Sequence, residues 1–540
     1  MATSVHDDLE QQQAGPPRKG VDKVVFGVAA GLALVFLLYG AVDSKGFGTS
    51  TGSVLSWITA NFGWFFVLTS GGFLIFSVFL AATRYGNIKL GADDSEPEFS
   101  TFSWVSMMFA TGMGIGLMFY GVAEPLTHLN TPPMGMAEPG SEEAAHLAME
   151  YTFFHWGFHP WSMYAVIGLA IAYFAYRKGG GNLISAAFRP LLGNRVDGPT
   201  GRGIDILAII ATLFGSATSL GLGALQITGG LADVFGSKGY GTTAAALVIG
   251  VLTLCFVISA VSGIDKGIKW LSNANAVAAG LLVFFLFVVG PTVFIMGTFT
   301  ESLGGYLTHL PTMSFRTGVF GGSEWLNGWT IFYWAWWVSW TPFVGMFIAR
   351  ISKGRTIRQF VVFVIAIPSL VSFIWFSILG GSAFDLQLTE GKDMKALVDA
   401  GLETTLFGTL RSFPLSSVTV VLAVFLIAIF FITGADSASI VMGMLSENGT
   451  EEPRRSLVVF WGVATGAVAT VLLITGGEDG LGALQTGVII VGFPFLVVLI
   501  GLCVSLWKSL RQEKFESTLR GPLRRTVIDH QRERQPADRD

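Results

Sequence analysis

The chain has 540 residues, of which 51% are hydrophobic and only 13% charged, with 68 glycines and a formal net charge of −4. A soluble domain carries about a quarter charged residues, so this composition excludes an ordinary water-soluble fold and describes an all-α polytopic membrane protein. The near-neutral balance gives no basis for a nucleic-acid partner, and Cys255 and Cys503, both in apolar runs, offer neither a disulfide framework nor metal-ligand spacing.

Residues 1–22 are polar and read as a disordered N-terminal tail. The apolar run after them is long enough to stay in the bilayer, so no cleavable signal peptide is expected. About twenty apolar residues cross a hydrocarbon core. Twelve such spans are read near 24–42, 64–83, 101–121, 148–174, 205–230, 242–262, 276–297, 328–349, 360–381, 416–440, 456–476 and 481–507. Basic residues gather in the N-tail (Arg18, Lys19, Lys23) and in alternate loops (Arg84 and Lys89; Arg177 and Lys178; Lys266 and Lys269; Arg350, Lys353 and Arg355; Arg454 and Arg455). The third loop instead holds Glu124, Glu138, Glu142 and Glu143. This alternation places both termini in the cytoplasm. The stretch 350–358 reads as a short amphipathic cytoplasmic helix, and 508–540 as a mixed-charge C-terminal tail.

Gly112, Gly114 and Gly116 lie in the middle of the third span, where each glycine costs about 1 kcal/mol relative to alanine and eases unwinding. Gly112 and Gly116 also form a GxxxG pair suited to close helix packing. A matching break is expected in the eighth span at Thr341, Pro342 and Gly345, five spans later. Broken helices in corresponding halves point to a midplane solute site. Spans three to seven (about 101–297) and eight to twelve (about 328–507) would then be two inverted five-helix repeats in a LeuT-like arrangement, with two peripheral helices before them, all within a transporter domain at 23–507.

Aromatic residues cluster near both breaks, at 155–164 and 333–340. At about 100° per residue, Trp156, Trp161 and Tyr164 fall within roughly 140° of one helix face. Trp334, Trp337 and Trp340 make an i, i+3, i+6 stripe. Such stripes suit aromatic packing between helices; beside breaks they also suit a box for a quaternary ammonium group, each ring contributing about 0.5–2 kcal/mol. No Asp or Glu is expected at the midplane beside them, so rings alone would hold the cation. His155 and His159 have i, i+4 spacing but no third metal ligand is in view. No phosphate loop and no nucleophile, base and acid set is present, so an enzyme is not expected.

The segment Ala110-Thr111-Gly112-Met113-Gly114-Ile115-Gly116, the run 329–358, the cluster 155–164 and Phe430-Phe431-Ile432-Thr433-Gly434-Ala435-Asp436-Ser437 resemble the betaine/choline/carnitine transporter family over about 25–505. The resemblance implies a sodium-coupled importer of glycine betaine or a related compatible solute such as ectoine, proline or carnitine, working by alternating access as a multi-pass protein of the bacterial inner membrane. It implies no organic cofactor, and assembly as a homotrimer. By resemblance, Trp156, Trp161, Tyr164 and Trp337 surround the ammonium group, Trp340 lies beside the substrate, and Gly112, Met113 and Gly114 meet its carboxylate. Phe119, Trp334, Trp336 and Phe343 line or gate the path. Thr212 and Ser216 form one sodium site; Ala110, Met113, Phe430 and Thr433 form another. The family pattern places serine where this chain has Gly434, which removes a ligand from the second site and leaves a sodium-independent exchanger open as an alternative. A solute sensor or channel is the further alternative. Gly116, where proton-coupled choline carriers place aspartate, speaks against proton coupling.

Overall fold

The computed structural model describes residues 20–112, 114–237, 241–262 and 265–513; the tail readings for 1–19 and 514–540 fall outside them, as does Met113. Among the described residues there is no strand, only an isolated bridge between Lys89 and Thr356. Helices of eight residues or more run in chain order as α1 (Lys23–Val42), α2 (Ser44–Ala82), α3 (Thr101–Gly112), α4 (Ile115–Asn130), α5 (Glu142–Trp156), α6 (Phe158–Ala172), α7 (Pro199–Phe235), α8 (Gly241–Ser262), α9 (Asp265–Val289), α10 (Thr292–Ser314), α11 (Phe332–Ile351), α12 (Ile357–Leu388), α13 (Ser416–Ser446), α14 (Arg455–Gly476) and α15 (Gly480–Leu510).

Ten of the described helical stretches are long and apolar enough to cross a membrane, the mark of a multi-pass membrane protein. They correspond to the expected spans apart from the third and eighth. The third is split into α3 and α4, of 12 and 16 residues, too short singly. The eighth, α11, carries tryptophans where an ordinary span carries aliphatic residues, and it ends at Arg350 and Ile351.

Several boundaries differ from expectation. The second span begins at Ser44, not 64, and its 39-residue helix has a length of about 60 Å. The seventh ends at Val289, because Pro291 follows and α10 starts afresh at Thr292. The amphipathic helix expected at 350–358 does not form. Instead Gly354 takes φ +81° and Thr356 caps α12, its hydroxyl accepting from the Gln359 N–H in a full capping box. The break expected in the eighth span is absent too: α11 runs straight through Pro342. Proline leaves the Val338 carbonyl without its usual N–H partner, and the Thr341 hydroxyl supplies a donor to it at 2.6 Å.

Burial separates centre from rim. The window within Glu142–Arg177 is 89% buried and that within Pro199–Phe235 is 83%, whereas those of α1 and Gly241–Val261 are 22% and 17% buried and turn apolar side chains outward. α11 packs against both central elements, α6 and α7, and against α15. The central span is itself interrupted at Gly157, between α5 and α6. A Cβ there would stand 2.5 Å from the Phe153 carbonyl oxygen and 2.8 Å from the Phe373 ring, so only glycine fits the turn.

At one end of the bundle the chain is strapped down after α15. Glu513 accepts from the Arg177 guanidinium and the Lys178 ammonium at 2.8 Å each, and Arg177 also pairs with Asp93. Burial works against the Glu513 carboxylate, but the donors from Arg177, Lys178 and Tyr173 outweigh it and hold the pKa at about 2, below the ordinary 4.5.

Two outcomes are expected. Gly157→Ala lowers stability by about 1–3 kcal/mol, read as thermal unfolding of the purified protein, while Gly52→Ala, whose added methyl meets nothing within 4 Å, does not. For Glu513, a depressed carboxylate contributes stability that is full above its unfolded pKa and is lost as pH falls toward the folded value. The difference in melting temperature between wild type and Glu513→Gln is therefore present at neutral pH and closes between about pH 4.5 and 2.

Candidate functional site

Three interruptions of regular helix flank the aromatic residues. The first is the extended Gly114 (φ −169°, ψ −171°) between α3 and α4, the second is Gly157, and the third is the π turn Asn327–Ile331 that leads into α11. Each leaves backbone groups without helical partners. The His155 carbonyl, orphaned because α5 stops one residue later, accepts the Trp337 indole N–H at 2.9 Å. A helix end thereby fixes a ring of the neighbouring helix.

The four residues expected to form the aromatic box come together. Trp156 and Trp337 have centroids 4.9 Å apart at 74°, Trp337 and Tyr164 6.4 Å at 79°, and Tyr164 and Trp161 5.3 Å at 76°. Successive rings at near right angles make walls rather than a stack. The rings converge although Trp156 belongs to α5, Trp161 and Tyr164 to α6 and Trp337 to α11; the turn at Gly157, not a continuous helix face, relates the first three. Gly116 makes room on the far side, since a Cβ there would stand 2.8 Å from the Trp156 ring and 3.0 Å from the Trp336 ring.

The α11 stripe diverges. Trp334 stacks on His159 (5.2 Å, 19°) and meets Phe154 edge-on. Trp336 stacks on Trp337 (4.9 Å, 13°) and Phe332. Trp340 instead lines a cavity of about 580 Å³, together with Gly114, Phe343, Ser216, Phe430, Thr433 and Gly434. This cavity runs to the exposed ion pair Arg350–Glu451 at the surface. Of the expected path residues, Phe343 lines it, while Phe119, Trp334 and Trp336 are buried among other rings.

The expected sodium ligands divide similarly. Ser216 reaches the cavity, and Thr212, one turn earlier on α7, is buried and donates to the Ala208 carbonyl at 2.8 Å. Thr433 donates to the Ile429 carbonyl at 3.0 Å, leaving its oxygen lone pairs available. A Cβ on Gly434 would meet nothing within 4 Å. Ala110 and Gly112 fall at the end of α3, beside the break.

One expectation is overturned. Glu124 is not in a loop: α4 continues to Asn130, and Glu124 is fully buried beside the box. Its Oε2 accepts the Trp156 indole N–H at 2.8 Å and the Tyr333 hydroxyl, and its Oε1 lies 2.7 Å from Nδ1 of His155. His155 Nε2 is 2.9 Å from the Thr330 hydroxyl, and His128 Nε2 lies 3.4 Å from Glu124 Oε1. Hence a carboxylate does stand behind the rings, and the two histidines of the i, i+4 pair part company, His155 to Glu124 and His159 to Trp334. The spacing of Tyr120, Glu124 and His128, one helical turn apart each, was the available signal, with Gly121 and Pro125 as the helix-weakening residues between Gly116 and Asn130.

A family model for betaine/carnitine/choline family transporters matches residues 24–515. A probable glycine betaine transporter of Desulfitobacterium hafniense is 46% identical over 92% of this chain and 99% of its own length. A glycine betaine transporter of Bacillus subtilis is 46% identical over 91% of this chain and 95% of its own length. An ectoine/hydroxyectoine transporter of Virgibacillus pantothenticus is 41% identical over 90% of this chain and 96% of its own.

Proposed function

Because the chain belongs to the betaine/carnitine/choline transporter family, and is a membrane transporter rather than an enzyme, we propose that it imports glycine betaine or a closely related compatible solute, coupled to sodium by alternating access. The observation that carries this reading is the set of near-perpendicular rings of Trp156, Trp337, Tyr164 and Trp161, a geometry that suits a trimethylammonium group. The break between α3 and α4, with Gly114 extended, suits amides offered to the carboxylate of the same solute by Gly112, Met113 and Gly114, and Trp340 lines the cavity. That the relatives carry betaine and ectoine by name supports the same class.

The proposal includes twelve spans, two inverted five-helix repeats, and both termini in the cytoplasm of a bacterial inner membrane, with a homotrimer as the assembly. The cavity that opens beside Arg350 and Glu451 is then an inward-facing vestibule, and Phe343 with Trp340 forms its inner end. Phe119, Trp334 and Trp336 act from behind, by packing. Sodium binds at Thr212 and Ser216 and at Ala110, Met113, Phe430 and Thr433. A zwitterion carries no net charge, so ions must drive its accumulation. Each sodium entering down about 100 mV supplies about 2.3 kcal/mol.

Gly434 favours a second reading, exchange of solutes without sodium, since the position faces open space and provides no oxygen. Labelled betaine uptake into proteoliposomes separates the two: accumulation only with an inward sodium gradient supports coupling, and counterflow that ignores sodium supports exchange. Gly434→Ser, which enters the cavity without a clash, is expected to lower the sodium concentration for half-maximal uptake several-fold. Trp337→Leu is expected to weaken betaine binding by about five- to thirtyfold, the loss of about 1–2 kcal/mol of ring attraction; an unchanged affinity would return Trp337 to a packing role.

A further inference from the structure

We propose that Glu124 is the counter-charge of the aromatic box, acting through Trp156, and that it makes the site select a cationic head group over an uncharged one of the same shape. This rests on the reading of the box given above and adds to it the source of charge selection.

The carboxylate is fully buried, and among the described residues no lysine or arginine pairs with it. Its neighbours are donors. Trp156 N–H can only donate, and it takes Oε2 at 2.8 Å together with the Tyr333 hydroxyl. His155 Nδ1 faces Oε1 at 2.7 Å. On the other side of that ring, Nε2 faces the Thr330 hydroxyl at 2.9 Å, and this hydroxyl makes no other hydrogen bond among the described residues. The His155 ring is thereby held between the Thr330 hydroxyl and Glu124, with Nδ1 aimed at the carboxylate. The carboxylate is thus met by the Trp156 N–H, the Tyr333 hydroxyl and a ring nitrogen of His155, and among the described residues by no lysine or arginine. His128 and Tyr120, on the same helix, bring no permanent positive charge.

The link to the box is direct. Trp156 offers its ring to the box and its N–H to the carboxylate, and the second wall, Trp337, is anchored on the carbonyl of His155, the residue that also holds Glu124. A negative charge behind the indole makes its face a better partner for a cation and attracts the ammonium through a medium of low dielectric. In the absence of solute no lysine or arginine among the described residues offsets the charge; a bound ammonium adds a positive charge on the box side. An uncharged tert-butyl group would fill the same space and gain none of this.

The test compares glycine betaine with 3,3-dimethylbutanoate, in which carbon replaces the ammonium nitrogen, by calorimetry on the purified full chain in sodium buffer. Wild type is expected to prefer betaine. In Glu124→Gln the betaine Kd is expected to rise about tenfold, the factor given by about 1.4 kcal/mol, with the neutral isostere changed by less than about twofold. Glu124→Asp, which keeps the charge, is expected to retain the preference. If the Gln variant does not fold, Glu124→Met removes the charge in a similar volume without a buried amide and carries the same expectation. Equal weakening of both ligands would overturn the proposal and leave Glu124 a packing and positioning group. Loss of preference in Glu124→Asp equal to that in Glu124→Gln would overturn it as well. Failure of wild type to bind betaine at all would overturn the box reading itself, an outcome distinct from either.

Discussion

A carboxylate removed from water inside an apolar bundle must be compensated by donors in fixed places, and the arrangement around Glu124 follows from that requirement. Desolvation of the charge costs several kcal/mol, which no single hydrogen bond offsets. The carboxylate therefore draws donors from other helices, Trp156 and His155 from α5 and Tyr333 from α11. The consequence reaches beyond the carboxylate. Once the Trp156 N–H and the His155 ring are committed to Glu124, the orientation of one wall of the aromatic site is set, and with it the position of the carbonyl that holds Trp337.

The same accounting governs the helix interruptions. In a hydrocarbon layer, backbone groups that lose their helical partners have no water to turn to. At Gly157 the freed His155 carbonyl is taken by an indole, and at Pro342 the freed Val338 carbonyl is taken by the next turn's own hydroxyl. These two solutions have different results. The first ties two helices together at the box. The second keeps α11 continuous, and Trp334, Trp337 and Trp340 point respectively to His159, the box and the cavity. The glycines at 114 and 116 serve a third end: one stands at the inner end of the cavity, the other leaves space for two tryptophan rings.

Much of this was legible from residue types. Long apolar runs mark most spans because lipid demands them, and the four box aromatics were identified from their clustering near breakers and from family resemblance. The errors share a cause. Hydropathy stops counting at the first charged residue, so it ends the third span at 121 and places Glu124 in a loop. Proline is a breaker in a local rule, yet a neighbouring threonine hydroxyl repairs the helix at Pro342. The stretch 350–358 has helical periodicity, but Gly354 in the left-handed region and the Thr356 capping box divide it. A period of three on α11 named the aromatic residues without telling which ring faces which neighbour.

The sequence by itself determined the class of solvent, the position of most apolar segments and the chemistry available to a site, because composition and spacing are local properties that the bilayer reads directly. The tertiary structure decided which of those groups meet. Trp156 and Trp337 lie far apart in the chain, and Glu124 belongs to yet another helix; their relation exists only where α4, α5 and α11 pack together. A buried charge is worth nothing as a sequence letter until the donors that stabilise it are in place, and those donors come from helices whose approach is set by packing.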